Sequence, residues 1–181
     1  PEIELTLAVG NRQDVLERVL SHSVDVAISG KPPNDDRLVA ERLTDNEIVC
    51  ITAPDDPAAG QPRTEAAELA ARRWLLREPG SGTRTLNEQF LTNRGMNPTT
   101  LTLGSNGAIK QAARAGLGVS LLSRAAVEGE LESGWLGELR LKNGPAKRSW
   151  FVLRSAVGPV REPVQMFITF ARSLARSQAR T

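Results

Sequence analysis

The sequence predicts an α/β protein, because segments with the period of a strand alternate with segments with the period of a helix. Residues 74–76 are a short apolar run, and the amphipathic stretch 86–91 follows after a glycine-rich turn. The same order returns in the strand-like residues 101–103 and the helical face at 109–113. Alternation of this kind is typical of mostly parallel sheets, whose carboxyl-terminal loops line a shared ligand crevice.

The N-terminal part predicts a β-α-β unit. Residues 3–9 alternate between apolar and polar side chains, residues 15–20 have helical spacing, and residues 24–28 form a second apolar run. We expect the two strands to be parallel and the crossover right-handed.

Further elements are predicted from periodicity and capping residues. They are an extended stretch at 34–53, a helix at 65–72 capped by Thr64, a helix at 83–94 ended by Gly95, a helix capped by Ser105 or Asn106 and closed by Gly116, a strand at 119–122, a helix capped by Ser123, strands at 136–141 and 150–153, and a final helix with the apolar stripe Val164, Phe167, Ile168, Ala171 and Leu174.

The turn at residues 78–84, Glu-Pro-Gly-Ser-Gly-Thr-Arg, is a candidate anion site. A helix start carries unpaired N–H groups and the positive end of the helix dipole. Ser81 and Thr83 add hydroxyl groups, and Arg84 adds a charge. The alternative is a plain strand-to-helix connection that needs glycine for its backbone angles. Three similar loops, at 10–12, 29–30 and 104–106, favour a shared binding crevice.

Composition excludes several other classes of function. A net charge of +2 with interspersed signs does not predict a nucleic-acid surface. His22 is the only histidine and is predicted to be an exposed turn residue, so no catalytic triad forms. Cys50 is predicted to be a buried strand thiol. No spacing typical of metal ligands, no cofactor motif and no apolar run of membrane length occurs, and the lack of a secretory signal favours the cytoplasm.

Two charged residues allow more than one interpretation. Asp25 interrupts an apolar strand, and a structural bond to a backbone amide or an arginine is favoured over catalysis. Arg12 follows the predicted strand at 3–9, and its side chain is equally compatible with the crevice and with solvent.

Several motifs together resemble the effector-binding domain of LysR-type transcriptional regulators. The Ser-Gly-Thr-Arg variant is similar to the branch that regulates carbon-fixation and sulfur-assimilation operons. The matching segments are residues 1–3 leading to Gly10-Asn11, residues 24–28, residues 74–78 before 80–84, and Ala-Gly-Leu-Gly-Val at 115–119.

The resemblance implies two Rossmann-like lobes joined by two crossover strands, a fold similar to periplasmic binding proteins of type II. Lobe I would comprise 1–52 and 150–181 and would lack the family's first strand and helix. Lobe II would comprise 53–149.

The resemblance also implies a small, anionic metabolite bound between the lobes, with no catalysis, cofactor or metal. A homodimer or homotetramer is expected, and DNA would be bound only by a winged-helix domain absent from this chain. The effector contacts carried over are Ser29, Ser81, Gly82, Thr83, Asn11, Asn106 and Arg84.

Two other classes of function remain as alternatives. A periplasmic-type solute-binding protein would share the fold. An enzyme would need Ser81 or Asp25 as its reactive group, and a nucleophilic serine requires an adjacent base.

Overall fold

A computed structural model describes residues 3–145 and 147–178, without the side chains of residues 66 and 176–178. In chain order the helices and strands of this part are α1 (Arg12–Leu20), β1 (Ala27–Ser29), β2 (Leu38–Asn46), β3 (Ile48–Thr52), α2 (Ala66–Ala70), β4 (Trp74–Arg77), α3 (Gly82–Thr92), β5 (Thr100–Leu103), α4 (Asn106–Arg114), β6 (Ser120–Ser123), a 3₁₀ turn (Arg124–Ala126), α5 (Glu128–Glu132), β7 (Gly137–Leu139), β8 (Arg148–Ser155) and α6 (Glu162–Gln178).

The chain divides into two compact units and passes between them twice. The first unit holds the described residues up to Asp45 and those from Arg148 onward, and the second holds Asn46–Lys147. The first division lies before the predicted boundary at residue 52, because β3 pairs with β6 and β7 of the second unit. That the two units act as the effector-binding lobes stays a prediction.

The first unit is built on a sheet in the order β1-β8-β2. β1 and β8 are antiparallel, with Ser29 opposite Phe151. Helix α1 contacts both of these strands. Buried side chains here are Val19 of α1, Val152 and Leu153 of β8, and Ile168 of α6.

The predicted strand at residues 3–9 is not formed. These residues have no regular secondary structure, and the side chains of Leu5, Leu7 and Val9 are exposed. Alternating side chains become a strand only when another strand supplies hydrogen-bond partners. The predicted parallel β-α-β unit is therefore also wrong, since β1 finds its partner in β8 with antiparallel direction.

The second unit combines parallel and antiparallel pairing. β4 and β5 are parallel, and a parallel bridge joins Trp74 of β4 to Val119, just before β6. β3 is antiparallel to both β6 and β7. The expectation of mostly parallel sheets is therefore wrong for β3, which enters this unit from the first one and runs against its neighbours.

Apolar side chains cover the β4 strand of the second unit from both sides. Trp74 and Leu76 pack with Phe90 of α3, and the ring centroids of Trp74 and Phe90 are 5.5 Å apart. Leu75 packs with Ile109 of α4 in the other cluster. The inward face predicted for α4 is confirmed, since Ile109, Ala112 and Ala113 are all buried.

Two predicted helix caps are wrong. Helix α2 has Glu65 as its N-cap, while Thr64 forms a bridge with Leu141 and its buried hydroxyl has no hydrogen-bond partner in the described part of the chain. Ser123 makes no capping bond and instead hydrogen-bonds to the Asn46 side chain at 2.6 Å. In both cases a contact with a residue distant in the sequence competed with the local capping pattern.

The final helix matches its prediction in position, but only part of its apolar stripe is buried. Ile168 is 2% exposed, whereas Leu174 is 48% exposed. Among the described residues, no helix has both the length and the apolarity to span a membrane.

Asp56 connects the segment after β3 to the segment before β4. It accepts hydrogen bonds from the Thr52 hydroxyl, the Arg72 guanidinium and the Ala58 N–H, and its side chain is 9% exposed. Burial by itself would raise the pKa of Asp56, but the bonds from Arg72, Thr52 and Ala58 outweigh it and lower the pKa to about 2.

We expect this carboxylate to stabilise the second unit by about 2 kcal/mol at neutral pH. Since the pKa is lower in the folded state, this contribution is present above about pH 4 and is lost as pH falls toward 2. The contribution is measured at each pH as the difference in the free energy of unfolding in urea between the native chain and Asp56→Asn. The two proteins should differ at pH 7 and converge near pH 2, and a constant difference would contradict the assignment.

Candidate functional site

Two helix N-termini meet at one edge of the second unit. β4 and β5 are parallel and in register, with Arg77 opposite Leu103 at their carboxyl ends. Each strand leads through a short loop into a helix, β4 into α3 and β5 into α4. Unpaired N–H groups and the positive ends of two helix dipoles are thereby brought to the same edge.

Ser81 is the N-cap of α3. Its hydroxyl oxygen accepts a hydrogen bond from the Thr83 N–H at 3.2 Å, and the residue is 4% exposed. Gly80 has a φ of +85°, which favours glycine before this cap. Because a hydroxyl both donates and accepts, Ser81 retains its own O–H for a ligand. Gly82 and Thr83 form the first turn of the helix.

Ser105, and not Asn106, caps helix α4. The Ser105 hydroxyl oxygen accepts a hydrogen bond from the Ala108 N–H at 3.0 Å. Asn106 is the first residue of the helix, and its side-chain oxygen accepts a bond of 2.6 Å from Arg77. Arg77 therefore links the end of β4 to the start of α4.

Arg77 was not among the predicted contacts, although it belongs to the matching segment at residues 74–78. Its guanidinium also makes two hydrogen bonds to Glu78, at 2.7 and 2.8 Å. The pairing with Asn106 could not be found in the sequence, because the two residues are 29 positions apart.

Arg84 is held by protein groups. It donates to the Arg77 carbonyl at 2.9 Å, to the Thr102 hydroxyl at 3.3 Å and to Glu88 at 2.7 Å. These bonds use the Nε and Nη1 atoms of Arg84. They connect the first turn of α3 to the ends of β4 and β5. Its predicted contact with the effector stays a prediction.

The remaining predicted residues, Asn11 and Ser29, lie in the first unit. Asn11 caps α1 through a capping box, in which its side chain accepts from the Asp14 N–H at 3.1 Å and its own N–H donates to Asp14 at 3.2 Å. Ser29 ends β1 and is 7% exposed. Arg12 donates to the Lys31 carbonyl at 2.6 Å, so the start of α1 contacts the loop after Ser29.

The groups considered for catalysis lie apart from any arrangement of nucleophile and base in the described part of the chain. Asp25 forms an ion pair with Arg161, as the structural interpretation predicted. Cys50 is buried in β3, and burial raises the pKa of its thiol to about 12. His22 is an exposed turn residue of the first unit with φ of +57°. The hydroxyl of Ser81 interacts with a backbone N–H and not with a base.

A depression of about 530 Å³ lies at the amino-terminal end of β4, whereas the two helix N-termini follow the carboxyl ends of β4 and β5. It includes Thr52, Asp56, Arg72 and Gly118. Its Arg72 is already paired with Asp56 and Glu68. The ion pair between Arg72 and Asp56 in this depression therefore stabilises the fold.

Comparison with known proteins gives one family. The family model described as the LysR substrate binding domain matches residues 1–176. A RuBisCO operon transcriptional regulator of Acidithiobacillus ferrooxidans is 34% identical over 171 residues, which are 94% of this chain and 55% of that protein. The HTH-type transcriptional regulator CfxR of Cupriavidus necator is 37% identical, over 84% of this chain and 48% of that protein. The chain spans about half the length of the curated relatives it matches.

Solved structures show the same fold. The regulatory domain of CcmR from Synechocystis PCC6803, in complex with 2-PG, has a TM-score of 0.88 and 30% identity and covers 95% of this chain and 83% of that one. The effector-binding domain of QuiR, in complex with shikimate, has a TM-score of 0.81 at 16% identity, covering 93% and 79%. The predicted α/β fold similar to periplasmic binding proteins of type II is confirmed.

Proposed function

Because this chain belongs to the LysR substrate-binding domain family, we propose that it is the effector-binding domain of a LysR-type transcriptional regulator. In this role it binds a small anionic metabolite and thereby controls transcription. The relatives named as transcriptional regulators favour this function over that of a solute-binding protein.

The observation that carries the anionic character is the pair of helix N-termini that follow the carboxyl ends of β4 and β5, where Arg77 of β4 donates to Asn106 of α4. N–H groups at a helix start donate to anions at no cost in side-chain entropy, and the dipole favours negative charge. The CcmR domain was solved with 2-PG, and the relatives regulate RuBisCO operons. We therefore propose a ligand of the size and charge of 2-phosphoglycolate.

The remaining parts of the proposal concern the whole protein. DNA would be bound by a winged-helix domain outside this chain, in a homodimer or homotetramer, and the protein would act in the cytoplasm without catalysing a reaction. Sequencing of the coding region upstream of Pro1 tests the first point, since an export signal in place of a winged helix would contradict it.

Ser81→Ala is expected to weaken binding of 2-phosphoglycolate about tenfold or more, because a hydrogen bond to a charged group contributes about 1.5–3 kcal/mol. Isothermal titration calorimetry on the purified chain measures the dissociation constant. Thr85→Ala is the matched control, since it removes a hydroxyl from the same helix, and among the described residues this hydroxyl hydrogen-bonds to the Ser81 carbonyl alone. Equal affinities of Ser81→Ala and the native chain would show that the edge at the carboxyl ends of β4 and β5 is not part of the binding site.

A further inference from the structure

Two arginines of the first unit meet beside the loop that follows β1. Arg12 is the first residue of α1, and its guanidinium donates to the Lys31 carbonyl at 2.6 Å. Arg148 is the first residue of β8, and its Nη2 lies 3.9 Å from the position that a Cβ on Gly30 would take. Both cations therefore lie beside the loop residues Gly30 and Lys31, which follow Ser29.

Neither arginine has a carboxylate partner among the residues that the structure describes. The Nε of Arg12 is buried and has no hydrogen-bond partner in that part of the chain. Burial, and then the charge of Arg12, lower the pKa of Arg148. The nearby carboxylate of Asp14 is engaged in the capping box with Asn11.

Two partly buried like charges without a counterion destabilise a folded protein. The N-terminus of α1 adds further positive potential at the same place. Two other partly buried arginines are each paired with a carboxylate, Arg72 with Asp56 and Arg77 with Glu78. At Arg12 and Arg148, by contrast, two guanidinium groups lie close together without a carboxylate partner in the described chain, which is explained if an anion occupies this place in the functional state.

We propose that Arg12 and Arg148 form a subsite for a phosphoryl group, a ligand class that deepens the function proposed above and depends on it. One guanidinium satisfies one carboxylate through two parallel hydrogen bonds. A phosphoryl group carries a charge of about −1.5 to −2 and three acceptor oxygens, and so it matches two guanidinium groups. Ser29, at the end of β1, supplies a hydroxyl beside the same loop.

Calorimetric titration with 2-phosphoglycolate and with malonate tests the subsite, because malonate keeps two charged ends but lacks the phosphoryl group. Arg12→Gln and Arg148→Gln should each weaken binding of 2-phosphoglycolate by at least about tenfold, the loss of one charge-assisted hydrogen bond. Binding of malonate should weaken by less than about threefold in each variant, since the remaining arginine still pairs with a carboxylate. Arg18→Gln is the matched control, because Arg18 is an exposed residue of the same helix.

The outcomes separate this subsite from the proposed function. Equal losses for both ligands, or none for either, would overturn the phosphoryl subsite while binding by the native chain still supports the effector-binding function. Failure of the native chain to bind either ligand would overturn both. Thermal unfolding without ligand adds a second criterion, since removal of one like charge should leave the melting temperature unchanged or raise it. A marked fall would show that the pair serves the fold and would contradict the subsite.

Discussion

Replacement of Asn87 by alanine is expected to lower the free energy of unfolding of the second unit by about 3–5 kcal/mol. Asn87 is fully buried on α3. Its Nδ2 donates to the Thr83 carbonyl at 2.8 Å and to the Leu121 carbonyl at 3.0 Å, and its Oδ1 accepts from the Leu121 N–H at 2.8 Å. Alanine would remove the side-chain partners of both backbone groups of Leu121.

The same substitution should also weaken ligand binding, because Asn87 anchors the helix whose first turn carries the candidate anion site. Urea unfolding followed by tryptophan fluorescence measures stability, since Trp74 is fully buried in this unit. Gln89→Ala is the matched control on an exposed position of α3, with an expected change below about 0.5 kcal/mol. A similarly small change for Asn87→Ala would mean that other groups satisfy Leu121.

Gly118→Ala is expected to destabilise the second unit by about 3 kcal/mol or more. A Cβ at this position would lie 2.4 Å from the Arg73 carbonyl oxygen and 3.1 Å from its carbonyl carbon. Backbone atoms cannot move aside here, because the Val119 N–H donates to that carbonyl at 2.9 Å and the Leu75 N–H donates to the Val119 carbonyl at 2.8 Å. Relief of the clash would separate β4 from the start of β6.

The yield of soluble protein and the urea midpoint both report this effect. Gly129→Ala is the control, since Gly129 lies in helix α5 and an added Cβ would meet no atom within 4 Å. It should stabilise the unit by about 0.5–1 kcal/mol through helix propensity. Comparable stability of Gly118→Ala and the native chain would show that the two strands tolerate a wider separation.

Local signals predicted the strand-turn-helix connection between β4 and α3 well. Apolar residues, a glycine turn and a capping serine follow one another within a few positions, so the β4-α3 connection was predictable from nearest neighbours alone. Ser105 was one of two predicted caps for α4 and is the observed one. The link between these two helices was not predictable, because Arg77 and Asn106 meet only after β4 and β5 have paired.

Predictions that depended on distant partners were less successful. The alternation at residues 3–9 is as regular as that of any strand in this chain, yet strand formation depends on a neighbouring strand. Thr64 and Ser123 satisfy the local rule for a cap, but Thr64 instead bridges Leu141 and Ser123 hydrogen-bonds to Asn46, both distant in the sequence. Arg12 and Arg148 are brought together by the antiparallel pairing of β1 with β8 and by the packing of α1 on both strands, so no sequence window contains both.

The bridge between Arg77 and Asn106 means that the second unit presents its donors in a preorganised form. The rotamers of both side chains are fixed when the chain folds, before any metabolite arrives. Less of the binding free energy is then used to order the protein, and affinity can come from few contacts. A metabolite with few non-hydrogen atoms offers few contacts, and a rigid receptor of this kind is what such a metabolite requires.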